Sequence, residues 1–128
     1  MKLAKKDNIY IATVITGHRN NILGICFADE GYNSTGNNNN IEVIEWKFPN
    51  TDNVSIGTSK AQLLKQVVAG LDSINEILGT NYRLSKVYYV PSEYGAGSIY
   101  QTFTRELIKH YYERKEFETI NFSPETRT

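Results

Sequence analysis

The chain is poor in the residues that usually announce chemistry. It has a single cysteine, Cys26, so no internal disulfide can form. Cys26 lies in an apolar run with no Cys, His or acidic residue at ligand spacing, which marks a small buried hydrophobe and not a reactive thiol. The two histidines, His18 and His110, have no metal-ligand spacing. Neither sign of charge dominates: Lys plus Arg and Asp plus Glu are 14 each. No net field therefore draws the whole molecule to nucleic acid or an anionic membrane, although a local patch can still do so. No apolar stretch approaches the roughly 20 residues that cross a bilayer. The start, Met1-Lys2-Leu3-Ala4-Lys5-Lys6-Asp7, turns polar before a signal-peptide core could form. These absences predict a cytoplasmic chain without membrane contact.

What is present suits one domain over residues 1–128, with a hydrophobic fraction of 40% and a charged fraction of 22%. Residues 9–16 are rich in β-branched side chains and end at Gly17, which predicts a central strand apolar on both faces. After the turn His18-Arg19-Asn20-Asn21, residues 22–28 predict a second strand. A polar Asn-rich loop, about 32–40, precedes a third strand over 41–48. That strand alternates partly, with its acidic residues facing out, and is stopped by Pro49, as an edge strand would be. Short connections predict an antiparallel meander of these three.

The pattern then changes. Leu63, Leu64, Val67, Val68, Leu71, Ile74, Ile77 and Leu78 share one helical face over 59–78. Ser59 with Gln62 forms a capping box at its start, and Gly79 suits the left-handed position after its end. Residues 84–90 predict a fourth strand, halted by Pro91. A second helix begins near Ser98, with Ile99, Phe103, Leu107 and Tyr111 on one face and Ser98 with Gln101 as a capping box. Residues 118–122 predict a fifth strand. A helical crossover within one sheet requires parallel pairing there, so the five-stranded sheet is mixed, with order β-β-β-α-β-α-β.

That α/β order resembles the ribonuclease H-like fold, and local sequence adds to the resemblance. Thr58-Ser59-Lys60-Ala61-Gln62-Leu63-Leu64 is similar to the start of that family's first helix, where Asn-Asn-Arg-x-Glu-Leu is common. Val87-Tyr88-Tyr89-Val90-Pro91-Ser92-Glu93-Tyr94 is similar to its fourth strand, which often ends in Thr-Asp-Ser-x-Tyr. Thr16-Gly17 stands where the family tends to have Asp-Gly. The resemblance implies a two-metal phosphodiester chemistry that depends on clustered carboxylates. Carried over, the first acid becomes Thr16, or Thr13 in another register; the helix Glu becomes Gln62; the strand-four Asp becomes Pro91. Glu93 alone offers a carboxylate nearby. The fold is thus expected without its chemistry, and capping, strand propensity and strand termination explain Gln62, Thr16 and Pro91.

Three other features bear on function. Glu93-Tyr94-Gly95-Ala96-Gly97-Ser98 follows a central strand and opens a helix, where close backbone approach and free N–H groups favour an anion. His18 and Arg19, in the turn after the first strand, could bind phosphate or exchange protons beside Glu93. Against these stand a tight turn with a Ser N-cap and an exposed polar hairpin turn. His110, four residues after Glu106, reads as half of a helical surface pair. Tyr82, Tyr88, Tyr89, Tyr94 and Tyr100 gather around strand four, fit for an interface, a core or base stacking.

The expectation is a noncatalytic binding protein without cofactor, engaging a protein or a protein–nucleic-acid complex. Small size and Asn richness suit a phage or mobile-element accessory or inhibitor. The alternatives are a divergent nuclease that needs Mg²⁺ or Mn²⁺ through Glu93, and a small nucleotide-binding protein using residues 93–98.

Overall fold

The polar start of the chain folds into a hairpin. The computed structural model describes residues 1–16, 19–28, 41–47, 59–90, 98–119 and 125–126. In it β1 (Lys2–Lys6) and β2 (Ile9–Thr16) pair antiparallel around Asp7-Asn8. Asp7 adopts φ 54°, which an Asp tolerates because its short polar side chain bonds locally. The sequence offered little sign of β1, since Lys2, Lys5 and Lys6 dilute its apolar residues. Only Ala4 is fully buried.

β3 (Arg19–Phe27) continues the antiparallel meander against β2. β4 (Glu42–Lys47) does not join it, contrary to the expected pairing. β5 (Leu84–Tyr89) lies between them, antiparallel to β3 and parallel to β4. Residues 29–40 separate the second and third predicted strands, and a connection of that length does not oblige its strands to pair. β5 takes the inner place because it is apolar on both faces. Val87 and Tyr89 are buried on one, and Tyr88 stacks on Trp46 at 4.8 Å on the other. The parallel pairing expected from the helical crossover is present, since α1 (Lys60–Leu78) links β4 to β5.

After β5 come α2 (Ile99–Tyr112), β6 (Glu118–Thr119) parallel to β1, and β7 (Glu125–Thr126) antiparallel to β4. Among the described residues the mixed sheet therefore has the order β6-β1-β2-β3-β5-β4-β7, seven strands in place of the five expected. The Asn-rich run and residues 120–122 lie outside the described residues.

Both helices cover one face of the sheet. Leu63, Val67, Leu71 and Ile74 of α1 and Phe103, Leu107 and Ile108 of α2 share a core with Ala12, Leu23, Ile25, Val87 and Tyr89. The helices close upon each other at Gly70, where a Cβ would stand 2.6 Å from the Gln101 carbonyl oxygen. The opposite face carries a smaller cluster of Ile11, Ile22 and Trp46. Its indole lies over Gly24, leaving no room for a side chain there.

A bulge reconciles β5 with this core. Leu84 and Val87 both enter the helix-side core although three positions apart, which strict alternation forbids. The pairing with β3 shifts between Cys26 and Phe27, leaving Ser85 as the extra residue, its hydroxyl 3.4 Å from the Cys26 carbonyl. No described helix is long and apolar enough to cross a membrane.

Candidate functional site

The two ends of the sheet differ in chemistry. At the carboxyl ends of β4 and β5, where the sequence pointed to a ligand edge, His18, Glu93, Tyr94, Gly95 and Gly97 lie outside the described residues. Arg19 opens β3 opposite Thr16. Ser98 is the N-cap of α2, but its side chain makes no capping bond, so the expected box with Gln101 is not formed. Its φ of −110° and ψ of 21° depart from the extended backbone of Ser59 (φ −72°, ψ 160°), which does form one. The cap comes instead from the neighbouring helix: Gln66 Oε1 accepts the Tyr100 N–H at 3.2 Å. Gln62, the match to the family's helix Glu, is exposed and spends its oxygen on the Ser59 N–H at 3.1 Å.

Two residues at this end escaped the sequence reading. Asn21 is buried, and its Oδ1 has no hydrogen-bond partner among the described residues. Glu45, expected to face out, sits beside Tyr89 on the helix side and accepts the Tyr89 hydroxyl at 3.2 Å. The partial alternation of β4 places Ile41, Val43 and Glu45 on the helix face and Trp46 on the other. Among the described residues, no three His, Cys, Asp or Glu side chains converge as a metal site.

The opposite end holds a cleft of about 660 Å³, within the range of small-ligand pockets. Its rings come from four places in the chain: Tyr10 is the second residue of β2, Tyr82 precedes β5, Tyr111 and Tyr112 end α2, and Phe117 precedes β6. Its cations are Lys5, Arg114 and Lys115, and among the described residues no acidic side chain lines it. Tyr10 is the hub, edge-on to Phe27, Tyr111 and Phe117 at 5.4, 5.3 and 4.9 Å, with the Lys5 ammonium 5.1 Å from its ring. Such contacts hold rings in place at about 0.5–1.5 kcal/mol each beyond burial.

Each wall is fixed by local structure. Asn75 binds the Tyr82 backbone through both atoms of its amide. His110 does not pair with Glu106; its Nε2 lies 2.7 Å from the Glu116 carbonyl and its ring is edge-on to Phe117 at 4.5 Å. The link draws the chain after α2 back across the helix end. Burial pushes the Tyr82 hydroxyl above its ordinary pKa, Tyr111 and Tyr112 add to the rise, and Arg114 opposes it. The hydroxyl remains a neutral donor at physiological pH.

Lys115 pairs with Glu113 at 3.5 Å, whereas Lys5 and Arg114 have no carboxylate in salt-bridge reach among the described residues. A surface that combines aromatic rings with two such cations suits a ligand having both a ring and a negative charge. Among the described residues the lining supplies neither a nucleophile–base pair nor carboxylate ligands for a hard cation.

The tyrosines clustered in sequence do not form one surface. Tyr89 and Tyr100 are core residues at 0% exposure, and Tyr88 faces Trp46. Of that group only Tyr82 reaches the cleft, while Tyr94 lies outside the described residues. Searches of protein-family models, of curated proteins and of solved structures find no match to this chain.

Proposed function

We propose that the chain is a noncatalytic binding protein of ribonuclease H-like element order that engages a protein or a protein–nucleic-acid complex. The observation that carries the reading is the cleft at the end of α2, ring-walled and cation-lined, with no catalytic pair. The positions where the resemblance requires acids support it. Gln62 closes a helix cap and Thr13 is buried in β2. The finer reading as a phage or mobile-element accessory or inhibitor rests on size and Asn richness.

The test is turnover. Purified protein is incubated with labelled RNA–DNA hybrid, single-stranded RNA and structured DNA, with Mg²⁺ or Mn²⁺ and with chelator. The expected result is no cleavage above a mock purification under any condition. Metal-dependent cleavage that is lost in chelator and in Glu93→Ala would replace this reading with the divergent nuclease.

A further inference from the structure

We infer that the cleft between the end of α2 and the β1–β2 hairpin binds a phosphorylated nucleobase, the base against the tyrosines and the phosphate on Arg114 and Lys5. The inference rests on the binding-protein reading and adds the ligand class.

The lining narrows the ligand by elimination. A purely apolar ligand would leave cations desolvated without a partner, which is unfavourable. Inorganic phosphate alone would make no use of the rings. A metal ion would find no carboxylate among the described lining residues. A flat base carrying phosphate uses both halves, because every base has a π-face and tyrosine stacking is tolerant of sequence. Tyr111 and Tyr112 remain 38% and 45% exposed, so ring surface is still free to be covered.

Arg114 gives a second, independent indication. It follows the C-cap Glu113 and has φ 57°, in the left-handed region where a helix end usually carries glycine. Holding an L-residue there is unfavourable, because Cβ crowds the following carbonyl oxygen. Its backbone N–H donates to the Tyr111 carbonyl at 3.1 Å, a bond that glycine would make equally well. That backbone bond does not call for an arginine side chain, whose guanidinium lines the cleft beside Tyr82 and is placed to meet a phosphate.

The helix end itself opposes an anion, since its dipole places about half a negative charge there. The effect fades within one turn and is offset by Lys109 in that turn. The last carbonyls are also occupied, those of Lys109, His110 and Tyr111 accepting from Glu113, Lys115 and Arg114. The phosphate therefore belongs at the Arg114 and Lys5 side chains, off the helix axis.

An acidic or phosphorylated peptide shares the charge but fits less well. Extended peptides gain affinity by pairing with a free sheet edge. Here β1 pairs with β6 on its outer side, and the helix-end carbonyls are taken. The same base-plus-phosphate chemistry has two sources, a free nucleotide or one unit of a single strand, and competition separates them.

The experiment is fluorescence anisotropy with a labelled oligothymidylate of about eight nucleotides, a length typical of single-strand sites. Competitors are thymidine monophosphate, an abasic strand of equal length, and a phosphotyrosine peptide. Saturable binding is expected, with the abasic strand about fivefold or more weaker, because each stacked base contributes a factor of that order. Arg114→Gly is expected to weaken binding about tenfold, as loss of a charge-assisted bond does. It should also flatten the log–log salt dependence by about 0.7 per lost phosphate contact. Tyr112→Ala should weaken binding about fivefold. Lys65→Ala, on the exposed side of α1, removes the same charge elsewhere and should leave binding unchanged.

A monophosphate that competes as well as the strand identifies a free nucleotide; a much weaker one identifies the strand. Both outcomes support the inference. No binding of either, equal binding of the abasic strand, or competition by the peptide alone would overturn it. The binding-protein reading would survive any of these, and falls only to metal-dependent turnover.

Discussion

Asn75 and Tyr82 are joined twice: the Asn75 side-chain N–H donates to the Tyr82 carbonyl at 3.0 Å, and its oxygen accepts the Tyr82 N–H at 2.9 Å. The same oxygen takes the Thr80 hydroxyl at 2.8 Å, and the Asn75 carbonyl accepts the N–H groups of Gly79 and Thr80. One residue thus ends α1, shapes the loop after it and delivers Tyr82 to the cleft. Asn75→Ala strips these partners from part-buried backbone groups, so it should destabilise by about 2–3 kcal/mol, read from urea unfolding. A loss under about 0.5 kcal/mol would mean that water replaces the amide without penalty.

The two helix starts should respond differently to substitution. Ser59→Ala removes a formed cap and should lose about 1 kcal/mol. Ser98→Ala should change stability by less than about 0.5 kcal/mol, because its hydroxyl caps nothing. Gln66→Ala should cost about 1 kcal/mol, since it orphans the Tyr100 N–H at the start of α2. Equal losses at Ser98 and Gln66 would contradict the cross-helix cap.

Gly70→Ala pits two effects against each other. Alanine is favoured over glycine in a helix by about 1 kcal/mol. The added methyl would meet the Gln101 carbonyl oxygen at 2.6 Å and Thr104 Cβ at 3.0 Å, and backbone cannot rotate aside. Overpacking of this kind costs about 1–3 kcal/mol or more, so the net change should be destabilising. A melting temperature equal to or above that of the unaltered protein would show the helices able to part freely.

Alkaline pH should weaken the fold. Burial raises the Cys26 thiol above its ordinary value of 9.0, with Lys86 opposing, and raises the hydroxyls of Tyr82 and Tyr88 above 10.0. Each group holds its proton more firmly folded than unfolded. Above the ordinary values the unfolded chain therefore binds fewer protons, and stability falls with rising pH. These groups contribute no slope well below pH 9.0, where both states are protonated. Urea midpoints should decline from about pH 9 upward, and Cys26 should resist alkylation at pH 8 until denaturant is added. Rapid alkylation of the native protein would show the thiol to be accessible.

Arg114→Gly should raise the melting temperature by relieving the left-handed backbone, a gain of up to about 1 kcal/mol. A lower melting temperature would mean that the side chain holds the fold together.

Local interactions were legible in the sequence because they depend on neighbours a few positions apart. The apolar spacing of α1, its Ser59–Gln62 box, Gly79 at φ 67° and the parallel β4–α1–β5 crossover all follow from period and cap chemistry. Strand adjacency did not, because pairing is a contest among the apolar faces of the whole chain. β5 displaced β4 from β3, and lysine-rich β1 was drawn into a sheet by partners rather than by propensity. The cleft was equally hidden. Lys5, Tyr10, Tyr82, Arg114 and Phe117 are spread over more than a hundred positions, and only the sheet's order and the end of α2 bring them together. Composition determined that no net charge would mark a binding face; tertiary structure decided that Lys5 and Arg114 would gather beside the rings.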